Sequence, residues 1–457
     1  MLAHLQTSLL ILLFAATASA QNVRITWIGQ ACFYIQTEGG PTVVVDPPVA
    51  SVGYALPATP ADVVTISHNH TDHNNSAGVR GTFTLVDGRP TTQRAEVTAA
   101  GLPFVLVPGF HDNTNGSTRG QNTIVRWTQG GLRFAQFGDF GQDSLSEAQL
   151  ADLRDLDVIM VPAGGFFTID NRQTATLIEQ LKPRIAILMH FRTALGGPAQ
   201  LATFPAVTSA FPQIRYKPAT VTLTRATLAA STEVWVMEPA ADAAVVSPAG
   251  FVAGAPMAPG ALASAFGNFT GSATASSLTV PLPRQLGDTE VLIGSDAVPL
   301  LYASPGQINF QVPARLAPGQ SVFEVRVGGQ RVGRGTITTV AQSPALFAVV
   351  DAEGRLGRGR RGGLITIYGS GQGGVTPAVA DGAASPSNPL ARTQDDPAVF
   401  IGGRRATVSF SGLAPGYIGL WQINAQVSQD APLGSNNDLF VLFDTNLISN
   451  AINIAVE

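Results

Sequence analysis

The chain has 457 residues, with 27 Lys plus Arg against 31 Asp plus Glu, and only 13% of its residues are charged. So few cations argue against nucleic acid, whose binding rests on neutralising phosphates, and 45% hydrophobic residues exclude a disordered chain. The 48 glycines and 31 prolines suit a turn-rich, β-rich protein, and a single cysteine, Cys32, excludes an intramolecular disulfide.

Residues 1–20 read as a signal peptide. Leu9 to Ala16 form a short apolar core and Ala18-Ser19-Ala20 fits a cleavage site, although no Lys or Arg precedes them. The run is short for a membrane span. The mature chain is therefore expected to be exported, to the periplasm or the extracellular space. In residues 21–238, apolar runs predict buried strands at Thr42–Val45, Val63–Ile66, Phe104–Val107, Leu132–Phe137, Val158–Val161 and Ile185–Met189. A helix is expected from Leu145 to Leu153, with Ser144 and Glu147 as its capping box. A second is expected from Asn171 to Leu181, capped by Asp170 and Gln173 and ended by Pro183. Strand, helix and strand from Val158 to Met189 make an α/β unit. Residues 239–252, rich in Ala, Gly and Pro, read as a linker. Beyond it, Gln307-Ile-Asn-Phe-Gln-Val returns as Gln422-Ile-Asn-Ala-Gln-Val, Val291-Leu-Ile-Gly as Val399-Phe-Ile-Gly, and LASAFG from Leu262 as LITIYG from Leu364. Two β-sandwich modules, 253–346 and 347–457, fit this repeat. The Gln-Ile-Asn motif is expected to serve a buried strand and polar network, and Arg355, Arg358, Arg360 and Arg361 a solvated loop.

The chemistry concentrates in the first half. Of six histidines, His4 leaves with the signal peptide; the others are His68, His70, His73, His111 and His190. Imidazole and carboxylate together suit Zn²⁺ and its neighbours, and His68-Asn-His70-Thr-Asp72-His73 packs both into one short loop. Alternation sends His68 and His70 to one side, and Asp72 with His73 can reach a second centre. His68, His111, Asp139 and His190 each follow an apolar strand; if these strands belong to sheets with a common edge, the donors converge there from four segments, where α/β sheets place their sites.

Residues 21–238 resemble the metallo-β-lactamase superfamily of metal-dependent hydrolases, an αββα sandwich. The likeness rests on His68 to His73, Val45-Asp-Pro-Pro, His111-Asp112, Arg119-Gly-Gln-Asn-Thr, Gly138-Asp139, Pro162-Ala-Gly-Gly-Phe-Phe-Thr-Ile-Asp and Met189-His190-Phe-Arg-Thr, in family order. Some relatives carry histidines where this chain has Gln136 and Gln142. The resemblance implies two divalent metals, zinc or manganese: His68, His70 and His111 would hold the first, Asp72, His73 and His190 the second, and Asp139 would bridge them. It implies hydrolysis by a metal-bound hydroxide that Asp72 orients, acting on an ester, lactone, amide or phosphodiester of a small molecule. Asp46 is a candidate partner for a ligand histidine or the signature loop, and Asn122, Thr168 and Arg192 are candidates at the pocket rim. The motifs around Arg119 and Gly164 resemble the broader hydrolases more than true β-lactamases. Residues 253–457 resemble the paired Ig-like C-terminal module of secreted acidobacterial proteins, which leaves cell-surface or polysaccharide contact open. Two other functions compete: an iron redox member of the superfamily, and an envelope protein that binds through its Ig-like half. The oligomeric state is not legible.

Overall fold

A computed structural model describes residues 21–241, 243–250, 255–443 and 447–457. The signal-peptide expectation lies outside them. No described helix is long and apolar enough to cross a membrane.

The first half packs two sheets face to face. The first contains β1 (Val23–Gly29), β2 (Cys32–Thr37), β3 (Thr42–Val45), β4 (Val63–Ile66) and β5 (Thr84–Asp87). The second contains β6 (Ala95–Ala99), β7 (Leu102–Phe110), β8 (Gln121–Gln129), β9 (Leu132–Gln136), β10 (Val158–Pro162) and β11 (Ile185–Met189). It also takes β12 (Arg215–Lys217) and β14 (Glu233–Met237), while β13 (Thr220–Leu223) closes the first sheet beside β1. β3, β4, β10 and β11 are buried at every residue, as strands covered on both faces must be. Between the sheets lies the main core, with Trp27, Phe33, Trp127, Phe134 and Phe137 in contact with the aliphatic strands.

Helix α1 (Glu147–Asp152) joins β9 to β10, and α2 (Asn171–Leu181) joins β10 to β11. The α2 expectation holds in full. Asp170 accepts from the Arg172 and Gln173 N–H groups at 2.9 Å, and Gln173 reaches back to the Asp170 N–H at 3.0 Å. The α1 cap is corrected: Ser146 and Gln149 form the box, not Ser144 and Glu147. Gln149 prevails because it is buried and its amide also donates to the Pro108 carbonyl at 2.8 Å. Over the outer face of the first sheet lie two 3₁₀ turns, Ala50–Val52 and Ser76–Gly78, above a small cluster that includes Cys32, Tyr34, Tyr54 and Val64. Cys32 is thus a core residue, as expected, and burial pushes its thiol up.

The direction of the strands positions the site. β3 and β4 are parallel, as are β9, β10 and β11. β1 and β7 each run the same way as these, through one antiparallel neighbour. All seven therefore end at one edge. Several residues just past those ends carry left-handed backbone: Gln30 (φ 51°), Asp46 (φ 42°), Gly138 (φ 53°) and His190 (φ 53°). For a residue with a Cβ this conformation costs about 1–3 kcal/mol and persists where the surroundings dictate it.

The second half is all β. Ala243–Val246, inside the stretch expected to be linker, pairs with Leu262–Gly267 and belongs to the sheet that follows. Its alternating inward residues Ala243 and Val245 join that unit's core. The repeat is visible in the pairing. Leu262–Gly267 runs antiparallel to Gln307–Gln311, and Leu364–Ser370 runs antiparallel to Trp421–Gln426. Gln307 donates to Asn309 (2.8 Å), which also accepts from Ser264 (2.9 Å). Gln422, Asn424 and Thr366 repeat the pattern (2.9 and 3.4 Å). This is the strand-borne polar network expected for the motif. Arg355 pairs with Asp351 and Arg358 with Glu457, both at 2.7 Å, and both arginines are about half exposed, as suits a surface loop.

Glu238, just past β14, is raised from an ordinary carboxylate to about 8 by burial. A carboxyl whose folded value is raised stabilises the fold below its unfolded value near 4.5, and that contribution is lost as pH rises through about 8. Glu238→Gln should therefore raise Tm relative to wild type at pH 8.5, by ~5 °C, and narrow that advantage toward pH 4.5. Parallel melting curves across this range would check it, and an advantage independent of pH would refute it.

Candidate metal centre

Each donor is delivered by a strand end. His68, His70, Asp72 and His73 come from the turn after β4, His111 follows β7, Asp139 follows β9 and His190 follows β11. The structure gathers them into two groups: His68, His70, His111 and Asp139; and Asp72, His73, Asp139 and His190, with all donor atoms of a group within 4.8 Å of one another. Asp139 belongs to both. Its Oδ2 lies 3.0 Å from His111 Nε2 and 3.7 Å from His68 Nε2, while its Oδ1 lies 3.0 Å from both His73 Nε2 and His190 Nε2. Asp72 Oδ2 stands 3.5 Å from His73 Nε2 and 3.7 Å from His190 Nε2.

The donors are held from behind. Asp46 Oδ2 accepts from His73 Nδ1 (2.9 Å), Ser67 Oγ (2.6 Å) and Gln136 Nε2 (2.8 Å), and its Oδ1 accepts from the Ser67 N–H (2.7 Å). With its hydroxyl proton given to Asp46, Ser67 Oγ can accept from His68 Nδ1 at 2.9 Å. Both imidazoles are thereby set with Nε2 free to act as a ligand. Asp46 thus does both things considered for it, and Gln136, which donates to Asp46, also accepts from the Gly138 N–H (3.0 Å). Gln142 accepts from the Phe110 N–H at 3.0 Å, just before His111.

Asn122 is corrected from the rim to the interior. It is fully buried, accepts from the Asp139 N–H and donates to the Phe137 carbonyl, both at 2.9 Å, and so shapes the turn that presents Asp139. Thr168 bonds the Ile169 carbonyl (3.1 Å), and Arg192 is exposed two residues past His190; neither belongs to a donor group. Gln30 was not among the sequence candidates. Its side chain donates to Asp72 Oδ2 (2.9 Å) and its carbonyl accepts from the His190 N–H (3.1 Å). The signal was its place directly after β1, at the same edge as the others.

The donor set fits cations. Nε2 of His73, His111 and His190 and Oδ1 of Asp139 are buried without a hydrogen-bond partner, a condition that native interiors avoid unless such atoms serve a ligand. Burial pushes the Asp139 carboxyl up, yet His190 and His73 outweigh it and hold it well below the usual carboxylate range. Burial opposes charge on His190 as well, but Asp139 raises it to about 8. His73 is likewise held well above its ordinary value by Asp139 and Asp72 against the same penalty. In the first group, burial and neighbouring histidines lower His68. Positive charge is thus favoured at the second group, and neutral imidazole, the form that binds metal, at His68.

The comparisons agree with this geometry. Residues 24–190 match the model of the beta-lactamase superfamily domain, a span that contains every donor. A "UPF0173 metal-dependent hydrolase" of Nitratidesulfovibrio vulgaris is 31% identical over 198 residues, which cover 38% of this chain and 81% of that protein. This chain belongs to that family of metal-dependent hydrolases. A further member, from Methanoculleus marisnigri, is 28% identical over 37% of this chain and 82% of its own length. Among solved structures, a "putative zn-dependent hydrolase of the metallo-beta-lactamase superfamily" from Thermotoga maritima is 28% identical, with coverage of 47% of this chain and 98% of its own and a TM-score of 0.39. By the match of residues 24–190 to the superfamily domain, the hydrolase half of this chain has the metallo-β-lactamase fold, and an all-β region follows it.

Gly138 sets the turn that presents Asp139, the donor common to both groups. A Cβ there would stand 2.3 Å from Asn122 Oδ1 and 2.6 Å from Ser67 Oγ, and its φ is left-handed. Gly138→Ala should disturb Asp139 and the Asp46–Ser67 bonds together, at a cost of about 2–4 kcal/mol and a metal affinity about tenfold lower or worse. Denaturant melts and competitive chelator titration would check both; unchanged metal affinity would refute the role given to this turn.

Proposed function

We propose that this hydrolase is exported and works with two divalent ions, zinc or manganese, on an ester, lactone, amide or phosphodiester bond of a small molecule. The observation that carries the dinuclear reading is Asp139, whose two oxygens face separate donor groups at 3.0 Å. His68, His70 and His111 would hold one ion and Asp72, His73 and His190 the other. When bound, such a pair supplies a nucleophilic water near neutral pH and polarises the substrate oxygen. Asp72 is the carboxylate to orient the attacking water: its side chain is 19% exposed, against 3% for Asp139, and Gln30 holds it. Export is supported by the apolar core and cleavage pattern before Gln21. Two Ig-like units behind the enzyme suit retention at a cell surface or on polysaccharide.

Elemental analysis of the purified mature chain tests this. About two zinc or manganese ions per chain are expected, with chelation lowering Tm. One ion per chain would overturn the dinuclear reading, iron alone would point to redox chemistry, and no metal after supplementation would sink the enzymatic mechanism.

A further inference from the structure

The loop from His190 to Thr203 is tied on one side to the hydrolase half. The Ala202 N–H donates to the Gly164 carbonyl and the Gly197 N–H to the Val52 carbonyl, both at 2.9 Å. Tyr54 Oη bonds Thr193 Oγ1 (2.7 Å) and the Gly196 carbonyl (2.8 Å). On its other side the loop meets a unit with a separate core. Gln320, in the strand Gly319–Val327, accepts from the Ala194 N–H at 3.2 Å. Pro205, at the start of the short helix after the loop, stands 3.6 Å from where a Cβ on Gly319 would be. Between the two units lies a pocket of about 360 Å³ lined by Arg192, Thr193, Phe204, Pro205, Pro318 and Gln320, among others. Arg192 is two residues past the donor His190, about 7 Å of chain at most. Among the described residues its guanidinium makes no ion pair or hydrogen bond, although carboxylates and phosphates are what a guanidinium fork binds best.

We propose that this pocket is a substrate subsite: the first β unit supplies its far wall, Gln320 holds the loop behind His190 in shape, and Arg192 receives an anionic group of the substrate. The subsite rests on the hydrolase reading above and narrows it to substrates with a carboxylate or phosphate away from the scissile bond. It also makes the β half a working part of the enzyme, with Gln320 as a positioning residue.

The metal-loaded mature chain is tested with two esters that share one scissile bond, 4-nitrophenyl hexanoate and mono-4-nitrophenyl adipate, together with amide hydrogen exchange. Arg192→Leu should raise the ratio of KM for the adipate ester to KM for the hexanoate ester about tenfold, the loss of one charge-assisted contact. Gln320→Ala should speed exchange at Ala194–Gly197 tenfold or more without altering peptides that contain His68, and Gln320→Glu, which keeps an acceptor oxygen, should restore it. An unchanged KM ratio overturns the anion subsite, and unchanged exchange overturns the strut. If the wild type turns over neither ester, free adipate should still slow exchange at residues 192–197 in the wild type and not in Arg192→Leu; no protection overturns the subsite. Loss of turnover with these exchange results intact would fault the hydrolase reading alone.

Discussion

Asp139→Ala is expected to reduce metal-dependent hydrolysis to background and to empty both donor groups. Among the described residues no other side chain serves both. Its Oδ2 faces His111 at 3.0 Å and its Oδ1 faces His73 and His190 at 3.0 Å. Alanine deletes one donor from each group and removes the carboxylate that favours positive charge on His190 and His73. Loss of a residue that merely supports a ligand costs about 10–100-fold in metal affinity, so loss of a shared ligand should exceed that. Asn122 and the Gly138 turn remain in place, so the fold should survive: far-ultraviolet circular dichroism unchanged, metal content near zero. Full metal content with low turnover would limit Asp139 to a role in chemistry, and full turnover would remove it from the site.

Asp46→Asn should weaken metal binding by about 10–100-fold and destabilise the protein by about 2–4 kcal/mol. The substitution isolates charge from shape, since asparagine matches aspartate in size and tolerates the left-handed backbone (φ 42°) found here. What it cannot match is the set of donors. Ser67 Oγ, His73 Nδ1 and Gln136 Nε2 converge on Asp46 Oδ2 at 2.6–2.9 Å, while the Ser67 N–H takes Oδ1. An amide has one oxygen, so whichever way it turns, its NH₂ meets donors. The expected damage is a misoriented His73 and, through Ser67, His68; in both, the tautomer that frees Nε2 is lost. Chelator titration and thermal melts on the same samples would check both effects, and a variant with wild-type affinity would show that the tautomers are set elsewhere.

The donors were legible because histidine is scarce in this chain and its positions coincide with strand ends. Asp46 was legible only as a candidate, since an aspartate before proline also suits a plain turn. Gln30 had only its place after β1, and the buried roles of Gln136 and Asn122 left no signal in local pattern. An amide side chain is an ordinary surface residue until the fold buries it against a group that needs its hydrogen bonds. The capping box at Ser146 was missed for the same reason: Ser144 and Ser146 are equivalent by pattern, and the burial of Gln149 decides between them.

What the sequence by itself determined is the local physics. Apolar runs bounded by turns placed β3, β4 and β11, the Asp170 cap placed α2, and the repeated Gln-Ile-Asn strands placed the two β units. These depend on neighbours within a few residues. The tertiary structure alone decided which strand ends share an edge, that Ala243–Val246 joins a sheet, and that Gln320 reaches the loop behind His190, and it set Asp139 between the two donor groups that the family resemblance implied. Those facts depend on how sheets pack and which way strands run, and contacts between residues a hundred positions apart leave no mark on local pattern.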